Sequence, residues 1–107
     1  MGINTKFVVT SRCYENNQLS GQERILDICK REGASNYINP QGGQALYDTE
    51  TFNNSGIDLR FLAMHAMPYQ QRATVFIPYL SIIDVLMEIG PVKIRDYLEE
   101  FDLVSIV

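Results

Sequence analysis

The sequence predicts an α/β protein with a small three-stranded, mostly parallel sheet that is flanked by helices and followed by two C-terminal helices. Strand-like segments alternate with segments of helical period, and this order is typical of right-handed βαβ crossovers. The chain has 107 residues, of which 46% are apolar, which is enough for one hydrophobic core and too little for two. We therefore expect residues 1–107 to form a single α/β domain.

Three segments are predicted as strands. Residues 5–11 form a β-branched run that turns polar at its end, and residues 36–39 form a short apolar segment. Residues 57–62 alternate apolar and polar side chains, which indicates a half-exposed strand, and we expect it at an edge of the sheet. A further short strand is considered at residues 74–77.

The first helix is predicted over residues 21–32. Ser20 and Glu23 have the spacing of a capping box, in which each side chain accepts a hydrogen bond from the backbone N–H of the other residue. Apolar residues recur at helical spacing after this point, and Gly33 is the expected residue just beyond the helix end.

A second helix is predicted from residue 43 to about residue 53. Its inner face is expected to carry Leu46, Tyr47 and Phe52, and residues 54–56 should end it.

Two helices should follow near the carboxyl end. Residues 80–87 are apolar apart from Ser81 and Asp84, and such continuous apolarity predicts burial on more than one side. Gly90 and Pro91 suit the end of one helix and the start of the next. The last helix is expected to be amphipathic through Val92, Ile94, Arg95, Leu98 and Phe101.

The segment from Tyr37 to Asp48 is the most informative one for function. A short strand runs through Asn39 and Pro40 into the glycine pair at residues 42–43 and then into a helix. At the carboxyl end of a parallel strand, such a turn allows a ligand close to the backbone, and the helix offers unpaired N–H groups. The same residues also suit a tight structural turn without a ligand.

The loop after the first strand should emerge on the same sheet edge as this turn, so a crevice is expected between them. Ser11 and the backbone of the glycine pair could bind a phosphoryl or other anionic group, with Arg12 or Arg72 supplying charge. The alternative is that these are ordinary loop residues and that the aromatic ones belong to the core. The predicted substrate- or nucleotide-binding residues are Thr10, Ser11, Tyr37, Asn39, Gly42, Gly43 and Asp48.

No catalytic group stands out. Asp84 has apolar neighbours, so burial could raise its pKa and fit it for acid–base chemistry, but its spacing from Ser81 also suits helix capping. Cys13 and Cys29 are expected to be free thiols, and neither forms a credible nucleophile pair with His65. One histidine and two distant cysteines predict no metal site.

The charge pattern argues against two classes of partner. The net charge is −4 and the nine basic residues are scattered, so nucleic acid and anionic membrane surfaces are not expected partners. No apolar run approaches the roughly 20 residues of a membrane span, and the first residues lack the apolar core of a signal peptide. A cytoplasmic protein is therefore expected.

Four blocks carry a resemblance to a known family. They read Gly-Gln-Glu-Arg-Ile-Leu-Asp-Ile-Cys-Lys at residues 21–30, Tyr-Ile-Asn-Pro-x-Gly-Gly-x-x-Leu-Tyr-Asp at 37–48, Gly-Ile-x-Leu-x-Phe-Leu at 56–62, and Pro-x-Leu-Ser-Ile-Ile-Asp-Val-Leu-Met at 78–87. In this order they resemble the WbqC-like family over nearly the whole chain. The chain resembles the carboxy-terminal half of such a protein, because the family's Gln-Pro-Tyr opening has no counterpart here.

The resemblance implies a transferase in bacterial cell-surface polysaccharide biosynthesis, associated with O-antigen and lipopolysaccharide gene clusters. By analogy with nucleotidyltransferases it implies a Rossmann-like half of a nucleotide-binding fold. This half would contribute one wall of a site for an activated donor or nucleotide-sugar, and an amino-terminal half or a second copy would supply the other. The alternative is a non-catalytic docking or oligomerisation module. The sequence does not identify a cofactor.

Overall fold

A computed structural model describes residues 3–105 and confirms the small α/β class. In chain order the elements are a 3₁₀ helix at Ser11–Tyr14, α1 at Gly21–Arg31, β1 at Asn36–Pro40, a second 3₁₀ helix at Gln41–Leu46, α2 at Thr49–Asn54, β2 at Asp58–Met64, α3 at Ile82–Leu98 and β3 at Phe101–Val104. The strands form one sheet in the order β1-β2-β3, with β1 parallel to β2. No helix within residues 3–105 has the length and apolar character needed to cross a bilayer.

By its internal contacts the chain divides into two compact units. The α/β unit comprises residues 5–63 with residues 103–105, and the helical unit comprises residues 64–102 with residues 3–4. Six side chains form the core of the α/β unit: Leu26, Cys29, Phe52, Ile57, Leu59 and Phe61. The expectation of a single domain stays a prediction.

Strand β2 lies in the middle of the sheet, so its predicted place at the edge is wrong. The alternation itself is present, because Leu59 and Phe61 are buried while Asp58 and Arg60 lie on the other face and form an ion pair of 3.1 Å. An exposed polar row shows that one face of a strand is open to water. It carries no information about whether both edges of that strand are paired, and this is why the interpretation failed.

The prediction of a first strand at residues 5–11 is also wrong. Residues 3–10 are exposed and belong to no strand, and Thr10 instead caps the first 3₁₀ helix by accepting a hydrogen bond of 3.3 Å from the N–H of Arg12. Residues 74–77 form no strand either. The third strand is β3, where a helix end at Phe101 was expected. β-Branched composition favours an extended backbone, but a sheet partner has to supply the hydrogen bonds.

Helix α1 agrees closely with its prediction. It ends in a Schellman motif, in which Ala34 N–H donates to the carbonyl of Cys29 at 2.8 Å and Gly33 N–H donates to that of Lys30 at 3.2 Å. Gly33 has a φ of +66°, which explains the glycine. The capping box is not formed: Ser20 precedes the helix, but its side chain accepts no capping hydrogen bond. Gly21, at a φ of +53°, turns the chain at the helix start.

The predicted helix over residues 43–53 is interrupted. A 3₁₀ helix ends at Leu46 and α2 begins at Thr49, because Asp48 between them accepts a capping hydrogen bond from the N–H of Thr51. Phe52 is buried as predicted, whereas Leu46 is 72% exposed and does not belong to an inner face. The capping carboxylate of Asp48 therefore divides the predicted helix into two shorter helices.

Helix α3 contains the two predicted C-terminal helices. Gly90, with φ +82° and ψ 169°, is not helical, and Pro91 begins the second part. Ser81 caps the first part through a hydrogen bond of 3.2 Å from the N–H of Ile83. The expected burial on several sides is wrong, because Ile83 and Met87 are largely exposed and only Ile94 is buried. Continuous apolarity predicts burial only where other elements cover each side.

Candidate functional site

The first turns of α1 border a groove of about 320 Å³ in the α/β unit. We call it the α1 groove. Its lining comes from α1 and from the end of the second 3₁₀ helix: Gly21, Gln22, Arg24, Ile25, Leu46 and Tyr47. The block from Tyr37 to Asp48 therefore reaches this groove through its last residues.

Arg24 supplies the charge of the α1 groove. Its Nε donates to Oδ1 of Asn16 at 3.1 Å, and its Nη2 donates to Oγ of Ser11 at 3.1 Å and to Oδ1 of Asn17 at 3.0 Å. All three acceptors are neutral oxygens, so none of these bonds neutralises the guanidinium. The guanidinium is held in place while its charge stays available to an anion.

The position of Arg24 was missed by the sequence reasoning, which considered Arg12 and Arg72. Arg72 lies in the helical unit, where its Nε is 3.7 Å from a carboxylate oxygen of Glu88. A signal for Arg24 was present in the sequence, since a cation near the N-terminus of a helix opposes the helix dipole. An arginine at this position therefore indicates another contact of its side chain that offsets the unfavourable interaction with the dipole.

Asn16 holds the Arg24 side chain in place through a network of hydrogen bonds. It is fully buried, and its Nδ2 donates to Oδ2 of Asp27 at 2.7 Å while its Oδ1 accepts from Arg24. The same oxygen of Asp27 accepts from Nε of Arg31 at 2.7 Å. These hydrogen bonds, that of Asn16 foremost, hold the pKa of Asp27 below its usual range. A buried amide with both ends paired is a rigid support.

Asp48 meets the α1 groove through its backbone. Its N–H donates to Oε1 of Gln22 at 2.5 Å, and Gln22 lines the groove. Its carboxylate accepts from the N–H of Thr51 at 3.1 Å and from the Thr51 hydroxyl at 2.5 Å. These bonds from Thr51 lower the pKa of Asp48. The carboxylate therefore acts as the cap of α2.

Tyr37, Asn39 and Gly43 form a cluster with Tyr47. Asn39 Nδ2 donates to the Tyr37 hydroxyl at 3.0 Å, and the hydroxyls of Tyr37 and Tyr47 are 3.5 Å apart. Burial raises the pKa of Tyr37 to about 12, so this hydroxyl stays protonated. A Cβ at Gly43 would overlap Oδ1 of Asn39. The absence of a side chain at Gly43 therefore permits the hydrogen bond that orients Tyr37.

The seven sequence-predicted binding residues thus differ in their relation to the groove. Ser11 and Asp48 are one hydrogen bond away from a groove residue, and Tyr37 is in contact with Tyr47, which lines it. Thr10 caps the first 3₁₀ helix, and Gly42 is exposed, with open space where a Cβ would stand.

The helical unit holds the candidate acid Asp84. Its Oδ2 accepts a hydrogen bond of 2.5 Å from the hydroxyl of Tyr69, and this contact raises the pKa of the tyrosine. Ser81 caps the helix through Ile83, and the Asp84 carboxylate pairs with Tyr69. The Asp84 carboxylate therefore anchors the ring of Tyr69, a contact that the sequence did not predict, and its catalytic role stays a prediction.

His65 has acidic partners that its sequence neighbourhood did not reveal. Its Nε2 is 2.9 Å from Oδ2 of Asp102, and its Nδ1 is 3.3 Å from Oε2 of Glu100. These contacts raise the pKa of the imidazole, with Asp102 the larger cause. Cys29 is buried, and desolvation raises the pKa of its thiol. Within residues 3–105 no group of three or more His, Cys, Asp or Glu side chains is arranged to hold a metal ion.

The sequence was compared with models of known protein families, with curated proteins and with solved structures. A model of the WbqC-like protein family matches residues 1–96. The chain belongs to the WbqC-like family. The match includes the whole α1 groove and the block from Tyr37 to Asp48, whereas β3, with Asp102, lies beyond it. No curated protein and no solved structure matches the chain.

Proposed function

We propose that this WbqC-like chain contributes one wall of an activated-donor or nucleotide-sugar site in a transferase of bacterial cell-surface polysaccharide (O-antigen) biosynthesis. The observation that carries the proposal is the Arg24 guanidinium, held at the α1 groove by neutral acceptors only. A diphosphate linkage needs a cation of this kind, since Arg binds phosphate oxygens through paired N–H groups.

The first turn of α1 supports the same ligand class. Its N–H groups have no capping side chain from Ser20, and the positive end of the helix dipole lies at Gly21 and Gln22, which line the groove. Glu23 in that turn is exposed and does not line the groove. Tyr47 offers an aromatic face against which a sugar or base could pack.

In this proposal the seven predicted residues act in two ways. Ser11 and Asp48 hold Arg24 and Gln22 in place, while Tyr37, Asn39 and Gly43 orient Tyr47. Thr10 caps the first 3₁₀ helix and Gly42 lies in the second, and in this proposal both would meet the part of the donor outside the groove. An amino-terminal half or a second copy would supply the second wall, so the chain alone is expected to bind a donor without transferring it.

The test is a titration of the chain with a panel of nucleotide-sugars and with inorganic pyrophosphate, followed by backbone-amide NMR. We expect shifts at Gly21, Gln22 and Tyr47, and Arg24→Gln should weaken binding about tenfold because a charge-assisted hydrogen bond is lost. Arg31→Gln is the matched control, since it removes a guanidinium from the same helix but one that is paired with Asp27. Equal losses from both variants, or no saturable binding, would count against the proposal.

Gly42→Ala gives a second arm that does not depend on Arg24. Open space surrounds the position, so the added methyl group should leave folding unchanged. If a donor approaches the backbone here, the affinity for nucleotide-sugar falls while the melting temperature stays the same. Unchanged affinity would remove Gly42 from the site.

A second candidate function is a docking module, and a specific observation favours it. Ile83 and Met87, one turn apart in the first part of α3, are 69% and 80% exposed, and Val92 beyond the break at Gly90 is 82% exposed. Neighbouring exposed apolar side chains of this size indicate an interaction surface. Light scattering separates the candidates: a stable dimer that Met87→Glu converts to monomer supports docking, whereas a monomer for both proteins argues against self-association.

A further inference from the structure

The helical unit contains a second cavity, of about 340 Å³, which is formed entirely by residues 64–97. We call it the aromatic pocket. Four aromatic residues line it, together with His65 and several aliphatic or methionine side chains. The four are Tyr69, Phe76, Tyr79 and Tyr97. Its volume is in the range of cavities that bind small molecules.

The aromatic wall is held in a defined arrangement. The ring of Tyr69 meets Phe76 edge-on at a centroid distance of 5.5 Å and Tyr97 edge-on at 6.2 Å. The Tyr69 hydroxyl donates to Asp84, and that of Tyr97 donates to the carbonyl of Pro68 at 3.2 Å. Both hydroxyls are therefore used to anchor the rings. The surface that the aromatic pocket offers to a ligand is therefore mainly apolar and aromatic.

The charges around the aromatic pocket are mainly negative. His65, which lines it, is flanked by the carboxylates of Glu100 and Asp102, and Asp84 lies behind Tyr69. Arg72 offsets Glu88, but it is 94% exposed and stands 3.7 Å away. Even with His65 protonated, the carboxylates outnumber the cations. This balance opposes an anionic ligand and favours a cationic one.

Tyr79 supplies a further observation. It is a non-glycine residue with a φ of +58°, a left-handed conformation that costs free energy and is seen where function requires a fixed side-chain position. Its ring lines the pocket although 75% of the residue is exposed. A strained backbone that holds an exposed aromatic ring at a pocket rim has no role in core packing.

We propose that the aromatic pocket binds an organic cation, with a substituted ammonium group lying against the tyrosine rings and its apolar substituents against the methionine and leucine side chains. Aromatic faces attract such a cation through their quadrupole, and the surrounding carboxylates add to the attraction. The residues involved belong to the helical unit, so this site goes beyond the donor site proposed for the α1 groove and does not depend on it.

The experiment compares two ligands of the same shape. Choline carries a quaternary ammonium group, and 3,3-dimethylbutan-1-ol is its neutral isostere. Each is titrated into the chain and followed by NMR of the tyrosine and methionine side chains. We expect saturable choline shifts at Tyr69, Tyr79 and Met67, and an affinity for the alcohol that is lower by about fivefold or more. Equal affinities, shifts confined to other residues, or no saturable binding of choline would overturn the proposal.

Variants of pocket residues provide a second test of cation binding. Tyr79→Leu should weaken choline binding about two- to fivefold by removing one aromatic face, whereas Tyr79→Phe should preserve it. Phe7→Leu is the matched control, because it removes a ring of similar exposure from the other unit. Asp84→Asn keeps an acceptor for the Tyr69 hydroxyl but removes the charge, so choline affinity should fall while the affinity for the alcohol stays the same. A loss that is equal for both ligands would mean that Asp84 serves only packing.

Discussion

The two units of this chain differ in how many of their apolar side chains are buried. The α/β unit buries six apolar side chains and the amide of Asn16, and the central strand β2 supplies Leu59 and Phe61 to this core. Within the described residues of the helical unit only Ile94 is buried, whereas Ile83, Met87 and Val92 lie on the surface. Several other apolar side chains of this unit line the aromatic pocket or are half-buried. An apolar segment is therefore buried only where other elements of the fold cover it.

The difference in burial between the two units should be clearest in the free energy of unfolding of variants at Phe61 and Met87. Phe61→Ala should destabilise the protein by about 3–5 kcal/mol, because it leaves a cavity in a fully buried site. Met87→Ala, in the helical unit, should change the free energy of unfolding by less than about 0.5 kcal/mol, because the side chain is 80% exposed. Urea denaturation of both variants measures the difference. A cost for Met87→Ala close to that of Phe61→Ala would mean that Met87 is buried in solution, and the comparison would fail.

Sequence reasoning succeeded where a pattern is decided by local backbone chemistry. Helix α1 ends where Gly33 permits the Schellman turn, and α3 breaks at Gly90 and Pro91 as expected. The register of β1 with β2 could not be predicted residue by residue, but their parallel direction followed from the helical segments between them.

Two failures are local, namely the unformed capping box at Ser20 and the break at Asp48, and the others concern partners distant in sequence. Residues 5–11 have strand composition but form no strand, and β3 completes the sheet from a segment of which only the first residue, Phe101, was assigned to a helix. His65 receives its acidic partners from 35 and 37 residues away. Arg24 was overlooked at the α1 groove for the same reason, because Ser11, Asn16 and Asn17 converge on it only in the fold.

A smaller effect is expected at Tyr79, where the contrast concerns strain. At an ordinary position glycine is less stable than alanine, but the left-handed backbone at Tyr79 reverses the order. Tyr79→Gly should therefore be more stable than Tyr79→Ala by about 1 kcal/mol, while both lose choline affinity equally. Thermal unfolding of the two variants provides the measurement. If the alanine variant is the more stable one, then Tyr79 is not strained and the structural argument for its role at the pocket rim is lost.

The smallest expected effect is a difference in how the two units respond to pH. In the helical unit, Asp102 and Glu100 raise the pKa of His65 above its ordinary value of 6.5. The stabilisation is therefore fully present below pH 6.5 and is lost as the pH rises through the raised pKa. In the α/β unit, Asn16 and Arg31 lower the pKa of Asp27 below its ordinary value of 3.8. Its stabilisation is present above pH 3.8 and is lost as the pH falls through the lowered pKa.

His65 is the one histidine of the chain, so its ring protons can be followed by NMR without ambiguity. We expect a pKa above 6.5 in the native protein and a clear decrease in Asp102→Asn, since Asp102 makes the shorter contact. Asp96→Asn, which removes a carboxylate from an exposed position on α3, should leave that pKa unchanged. A native pKa at or below 6.5 would mean that the carboxylates do not hold the imidazolium in solution. The aromatic pocket would then lack two of the negative charges that favour a cation, and choline binding should be weaker than proposed.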